Sequence, residues 1–423
     1  MVIRRAVQRL CLFVAIFVFT LPVTAEEIST TYTYTLEKSY PTADVSFLIA
    51  DLKYNERDGV KICEVQHGSL SVLRGYDFLY GGAEIVAEKF CDFLSQYQSN
   101  AWFLKNTILY GPFNTTFVNR GWIPAAGMMT LSKDSFFQEC SSMSVYDPSS
   151  IYDYHGVLYA KPGTLESIEK FRNNNPGILL IDRVTFPYWI DKYKMSILFT
   201  QDQRLARYKP RWGLYAKKYS SGLAQKIIND IKSEIFVIKP RGAFLGNGVI
   251  IVAKENLDAT LRTILKKKKK QIILSDPSYS HWKYDSFDSF LVEEFIESDP
   301  VTVPHLENQQ YDGTLRVIFF LSYQQKEIQS VLMKGYWYLP KKNLSQKGTL
   351  NERHKSHIAD GYNAAITPAV RQKVEEQLQE AIYLLYRQML EADHKSAIPA
   401  GNFTTEFTES TERNLRFYER VYF

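Results

Sequence analysis

Cysteine is scarce in this 423-residue sequence, with only four present. Cys11 falls in an apolar N-terminal stretch, and Cys63, Cys91 and Cys140 are too few and too far apart for a disulfide framework or a zinc cluster. One bridge with a free thiol and three buried thiols both remain open. Beyond residue 23 no run approaches the ~20 apolar residues that a transmembrane helix needs. An excess of one charge is also missing: the net charge is +5, and the single run Lys266 to Lys270 accounts for it. Together with the absence of zinc-finger spacing, a basic region leading into heptads or an aromatic-basic RNA-binding motif, this argues against nucleic acid as a partner. No Walker loop, no dinucleotide fingerprint and no nucleophile elbow occurs, so the familiar NTPase, dehydrogenase and serine-hydrolase designs are not expected.

What is present is an ordinary folded composition, 45% hydrophobic and 23% charged, with 28 Tyr and 26 Phe to build aromatic cores. The length exceeds one ordinary core and predicts two or three domains. Arg4, Arg5 and Arg9 precede the apolar stretch Leu10 to Val23, and Val23-Thr24-Ala25 supplies small residues for cleavage. That order reads as a secretory signal over 1–25, with the mature chain starting near Glu26, exported and without a membrane segment once the signal is removed. An uncleaved anchor facing the cytoplasm is the other reading of the same residues.

After a polar lead, apolar and turn segments alternate in an α/β manner. Val60 to Val65 and Gly177 to Asp182 read as strands, and Ile85, Phe90, Phe93 and Leu94 give a helical face, which predicts a mostly parallel sheet over 45–185. Ile235 to Ile238 and Gly248 to Val252 form a hairpin with a glycine-rich tip. Asn256 to Leu265 is a helix running into the lysine run, where cations suit the negative helix end. Phe290 to Ile296 and Leu315 to Leu321 are further strands, and Ala369 to Leu390 is the longest helical pattern, with Pro368 at its start.

The hairpin carries the chemistry. Lys239 ends its first strand, where an ammonium can meet phosphate oxygens, and Gly242, Gly246 and Gly248 let backbone N–H groups approach a polyphosphate closely. Downstream, Leu291 to Ile296 is a strand ending in the paired acids Glu293 and Glu294, followed by Phe295 and Ile296.

In this order and spacing the sequence resembles the ATP-grasp superfamily of carboxylate-amine and thiol ligases. The resemblance covers residues 185–365 and implies an α/β fold, with a pre-ATP-grasp parallel-sheet domain over 26–185, an ATP-grasp domain pair over 186–395 and a tail over 396–423. It implies that Lys239 binds phosphate, that Gly242 to Gly248 form the flap, and that Glu293, Glu294, Phe295 and Ile296 form the hinge holding adenine and ribose. Asp191-Lys192 resembles the upstream pair whose lysine also reaches ATP, and Arg316 resembles an arginine at the transferred phosphate. ATP and Mg²⁺ are the implied cofactors, and an unknown carboxylate-bearing substrate the implied partner.

The departure lies at the C-terminus, where the family places an acidic strand and a Glu-x-Asn strand for the metals. The single Glu412-Arg413-Asn414 follows a polar, threonine-rich stretch instead, so Asp360 and Asn363 are taken as the metal candidates. The expected activity is ATP-dependent ligation through an acyl phosphate. A catalytically inactive ATP-grasp-fold binding protein and an exported effector without ligase activity are the alternatives.

Overall fold

The computed structural model describes residues 28–40, 43–68, 73–82, 84–96, 102–104, 111–125, 156–159, 178–243, 246–266, 277–283, 285–357 and 361–397. The signal segment 1–25, Cys140, Asp360, Glu412 and Asn414 lie outside them. Strands β1 (Ser29–Thr35), β2 (Asp44–Asn55) and β3 (Gly59–His67) come first. β4 (Trp102–Leu104), β5 (Ile123–Ala125), β6 (Gly156–Tyr159) and β7 (Ile178–Ile181) follow. Next are β8 (Trp212–Ala216), β9 (Ile235–Pro240), β10 (Ile250–Ala253), β11 (Ser289–Glu294), β12 (Val301–Val303) and β13 (Gln309–Tyr311). β14 (Thr314–Gln324), β15 (Glu327–Met333), β16 (Tyr336–Tyr338) and β17 (Asn363–Ala365) close the series.

Nine of the described strands form one large mixed sheet, in which β1-β15-β14-β2-β7-β6 lie in order, β3 also pairs with β2, and β16 joins β14 to β17. Its centre is the pair β2–β14, which runs antiparallel from Leu52–Leu315 to Asp44–Tyr323. Both strands are buried over nearly their whole length because the sheet is covered on both faces. Successive side chains alternate between the faces. Leu48, Ala50 and Leu52 of β2 and Val317, Phe319 and Leu321 of β14 meet the long helix Pro368–Ala397 on one side. Val45, Phe47 and Ile49, with Ile318 and Phe320, pack on the other side against the helix Glu84–Ser95 through Phe90 and Leu94.

The α/β class expected from the sequence stands. Parallel pairs do occur in the first part of the chain, between β2 and β7, β6 and β7, and β4 and β5. The expectation of a mostly parallel sheet needs correction at β3, which runs antiparallel to β2. Only Glu56 to Asp58 separate the two strands, and so short a turn can reverse the chain but cannot cross over a sheet. Gly59 follows that turn with φ +68, a backbone conformation that favours glycine.

A second sheet has the order β10-β9-β11-β8, all antiparallel. Phe236 and Ile238 of β9, Ile250 and Val252 of β10, and Phe290 and Val292 of β11 face the helices Leu223–Ile231 and Leu257–Leu265 in a separate apolar core. The alternate residues Val237, Lys239, Ile251 and Glu293 point to the opposite face, where a cleft is left toward the large sheet. Strand periodicity thus divides each strand between a core and a cleft. No helix among the described residues is long and apolar enough to cross a membrane.

Phe320 is fully buried against Phe47, Phe90 and Phe93, with ring centroids 5.3, 4.9 and 5.7 Å away. Phe320→Ala is expected to lower the unfolding free energy by about 3–5 kcal/mol through lost burial and the cavity left behind. Urea denaturation followed by tryptophan fluorescence measures it.

Candidate functional site

The cleft between the two sheets holds a cavity of about 350 Å³. That is room for a small organic ligand. One wall is apolar, from Val237, Val249, Ile251, Phe295 and Ile296, and the other end gathers Asp51, Glu64, Lys239, Glu293 and Arg316. The glycine hairpin and the β11 segment therefore meet in one place, with Lys239 and Glu293 54 residues apart in sequence.

Glu293 is the electrostatic centre. It is buried to 2% exposure, and its two carboxylate oxygens accept from Lys209 Nζ (2.6 Å) and Lys239 Nζ. Lys239 Nζ also donates to the carbonyl of Cys63 on β3 at 3.0 Å, so this cluster ties the small sheet to the large one. Burial alone would raise the Glu293 carboxyl, but Lys209 and Lys239 outweigh it and hold it below its ordinary 4.5. Burial would likewise depress Lys239, yet Glu293 raises it, whereas Lys209 is left depressed by burial. Glu293 thus lines the cavity with both oxygens committed to lysines. Glu294 is also engaged, accepting from the Arg211 backbone N at 2.7 Å and from its Nε at 2.6 Å.

Asp191 begins the helix Lys192–Gln201 as its N-cap, accepting from Tyr193 N at 3.0 Å. Arg241 grips the same carboxylate through two 2.8 Å bonds, and Lys192 N donates to Arg241 O. The upstream Asp-Lys pair and the turn after Lys239 are therefore one unit. Lys192 Nζ reaches Glu64 at 2.9 Å and also donates to Ala243 O. In the flap, Gly246 lines the cavity, and Gly246 and Gly248 take φ +69 and +72. A Cβ at Gly248 would lie 2.3 Å from the Pro240 ring. Gly242 sits in the turn after β9, away from the cavity lining. Phe244 and Leu245 lie outside the described residues.

Arg316 on β14 lies opposite Asp51 in the β2 register and binds it bidentately, at 2.7 and 2.6 Å. The Tyr338 ring lies 4.4 Å from the guanidinium carbon and fixes its plane.

Asp360 lies outside the described residues. Asn363 is on β17, paired with Tyr338 and buried, and it does not line the cavity. Oxygen donors that could hold a metal occur on the β2–β3 hairpin, which sequence reasoning passed over. Asp51 and Glu64 face each other across the ladder, and Gln66 lies two residues further along β3. The register passes from Asp51–Glu64 to Leu52–Ile62, leaving Cys63 as the extra residue of a bulge. Such a bulge re-aims side chains and here turns both Cys63 and Glu64 to the cavity. Gln66 Nε2 donates to Asp51 at 3.2 Å, while Gln66 Oε1 is buried without a hydrogen-bond partner. Asp51 and Glu64 line the cavity, and two carboxylates suit a hard divalent cation such as Mg²⁺; Gln66, buried behind them, is the nearest further oxygen along β3. No group of three His, Cys, Asp or Glu side chains at metal-binding distance occurs among the described residues, so the amide is needed as the third donor. The signal available in the sequence was an Asp thirteen positions before a Glu-x-Gln, on two strands joined by a tight turn.

No protein-family model matches the chain, and no curated protein matches it. Among solved structures it is similar to a provisionally assigned gamma-glutamylcysteine synthetase from Methylobacillus flagellatus KT, at 10% identity and TM-score 0.40 over 84% of this chain and 89% of that one. It is also similar to D-alanyl-alanine synthetase A from Vibrio cholerae O1 biovar eltor, at 10% identity and TM-score 0.35 over 69% of this chain and 81% of that one. Neither likeness bears on the chemistry of the cleft.

Removing Glu293 strands two buried ammonium groups. Glu293→Gln is expected to cost about 3–5 kcal/mol of stability near neutral pH. Because the folded carboxyl titrates below 4.5, its contribution is complete above that value and fades as acid protonates the folded form. Denaturation curves of the two proteins should therefore diverge at neutral pH and converge well below pH 4.5.

Proposed function

We propose that the cleft binds ATP with Mg²⁺ and activates a substrate carboxylate as an acyl phosphate for attack by an amine or another nucleophile. The observation that carries this reading is the pairing of three cations at or beside the cleft with acids that line it: Arg316 with Asp51, Lys192 with Glu64, and Lys239 with Glu293. A polyphosphate and a divalent cation can exchange with these pairs, the phosphate taking the cations and the metal taking Asp51, Glu64 and Gln66. The apolar walls at Val237, Ile251 and Phe295 suit a base. Mg²⁺, held by Asp51, Glu64 and the Gln66 carbonyl, would supply charge neutralisation at the phosphates.

The remaining work belongs to the chain. Lys239 and Lys192 would neutralise the phosphate oxygens, and Arg316, planar and held by Tyr338, would face the group being transferred. A substrate carboxylate oxygen bonds to the γ-phosphorus as the bond to the ADP oxygen breaks. The nucleophile then adds to the acyl carbon, and inorganic phosphate leaves. The flap from Gly242 to Gly248, hinged at two glycines with positive φ, would close over the phosphates and exclude water.

The acid set on β2–β3 favours an active ligase over a silent binding protein, because the ligands missing from the C-terminus are supplied by the N-terminal hairpin. We take residues 26–185 and 186–395 as two domains whose strands combine in the large sheet. We also take residues 1–25 as an export signal, which N-terminal sequencing of the mature protein tests: Glu26 should be its first residue, and an intact Met1 would overturn the export reading.

A ligand that binds only the folded state must stabilise it. ATP with Mg²⁺ at millimolar concentration is expected to raise the melting temperature, and Lys239→Ala to abolish the shift. Lys209 still neutralises Glu293 in that variant, so the fold should survive. No shift in the unmodified protein sinks the nucleotide reading. ADP release on adding amines with carboxylates then reports ligation.

Asp51→Asn removes a metal ligand and releases Arg316. Calorimetric titration should show metal-free ATP bound at least as tightly as in the unmodified protein, and the gain on adding Mg²⁺ largely lost. A retained gain would rule out Asp51 as a ligand.

A further inference from the structure

His354, at the end of the helix Leu350–His354, lines the cavity beside Phe295, its ring meeting the phenyl edge-on with centroids 4.9 Å apart. We infer that His354 is a specificity-determining residue that accepts a hydrogen bond from the nucleoside through Nε2. This inference rests on the nucleotide reading of the cleft.

The tautomer follows from Asp312. His354 Nδ1 lies 2.8 Å from Asp312 Oδ2, the same carboxylate bonds Lys53 Nζ at 2.9 Å, and its other oxygen accepts from Ser298 N at 2.8 Å. Burial alone would raise the Asp312 carboxyl, but Lys53 and the bond from His354 keep it below its ordinary value. An ionised carboxylate only accepts, so Nδ1 must carry the proton. In the neutral ring Nε2 is then an acceptor, and it makes no hydrogen bond among the described residues.

Two further points favour this role. The two acids that precede Phe295 are engaged, Glu293 by two lysines and Glu294 by Arg211. The imidazole is also held from both sheets. Asn351 Oδ1 accepts from Ile251 N at 2.8 Å on β10, and Lys355 Nζ donates to Ser278 Oγ at 2.8 Å and to Val249 O at 3.3 Å. Asp312 precedes β14 of the large sheet. A fixed acceptor selects ligands that present a donor at that point, as the exocyclic amine of adenine or a ribose hydroxyl does.

The test is calorimetric titration of the full chain, with Mg²⁺, against ATP, ITP, 2′-deoxyATP and 3′-deoxyATP. ITP replaces the amine by a carbonyl, and each deoxy nucleotide lacks one hydroxyl. In the unmodified protein one of these changes should weaken binding by roughly 5- to 20-fold, the range of a lost hydrogen bond that leaves its partner unpaired. Which one does so identifies the donor. In His354→Phe the same penalty should fall below about 2-fold, with inorganic tripolyphosphate bound as before. His354→Ser gives the same readout should the phenyl variant not fold. Equal binding of all four nucleotides by the unmodified protein, or a penalty that persists in the variants, overturns the role of His354 alone. Binding of none of them overturns the nucleotide reading, and this inference with it.

Discussion

The structure turns on one buried carboxylate held between two buried lysines. Glu293, Lys209 and Lys239 are all buried, so the carboxylate needs at least one lysine beside it and both lysines need the carboxylate. Lys209 precedes β8, Lys239 ends β9, and Glu293 lies on β11 between those two strands. The contact from Lys239 to the Cys63 carbonyl extends the cluster to the large sheet. A cluster with such a high cost of separation holds the cleft at a set width. It also holds Lys239 near any anion that enters, although a ligand must compete with Glu293 for it.

Around that centre the remaining charges are arranged as exchangeable pairs. Arg316–Asp51 and Lys192–Glu64 each join a cation suited to phosphate with an acid suited to a metal. Without ligand the site is self-neutralised, which limits the electrostatic penalty of holding so many charges in a partly buried cleft. The same arrangement means that polyphosphate and metal should each bind better in the other's presence, because either one alone leaves half of every broken pair uncompensated. The β3 bulge at Cys63 makes this geometry available, by presenting Glu64 to the cleft and freeing a carbonyl for Lys239.

The short segment from Leu350 to Ser356 adds a second link between the sheets. It reaches β10 through Asn351, the flap through Lys355 and the start of β14 through His354 and Asp312. Its helix starts with a capping box between Thr349 and Glu352, so the anchors project from a defined turn. His354 and His357 lie three residues apart in the sequence, and nothing local distinguishes them. Burial beside an ionised aspartate separates His354, whereas His357 packs against Tyr362.

Much of the small sheet was legible in the sequence because its information is local. The Ile235–Val252 hairpin, the strand ending in Glu293-Glu294, the helix run from Leu257 and the Pro368 helix start each rest on periodicity and turn chemistry within a few residues. The pairing of Lys239 with Glu293 was not expected, since the resemblance gave the lysine to phosphate and the acid to the nucleoside. The acid set was not legible. Asp51 meets Arg316 only because β2 pairs with β14, 265 positions away in sequence, and no local pattern encodes that register. Asn363, chosen from its place in the chain, is paired with Tyr338 on the sheet edge, and its expected companion Asp360 lies outside the described residues. The sequence by itself determined which short segments would be strands and helices and which residues could bind phosphate. Tertiary structure decided which acids join them, because long-range strand pairing, not proximity along the chain, brings Asp51, Glu64 and Gln66 to the lysines.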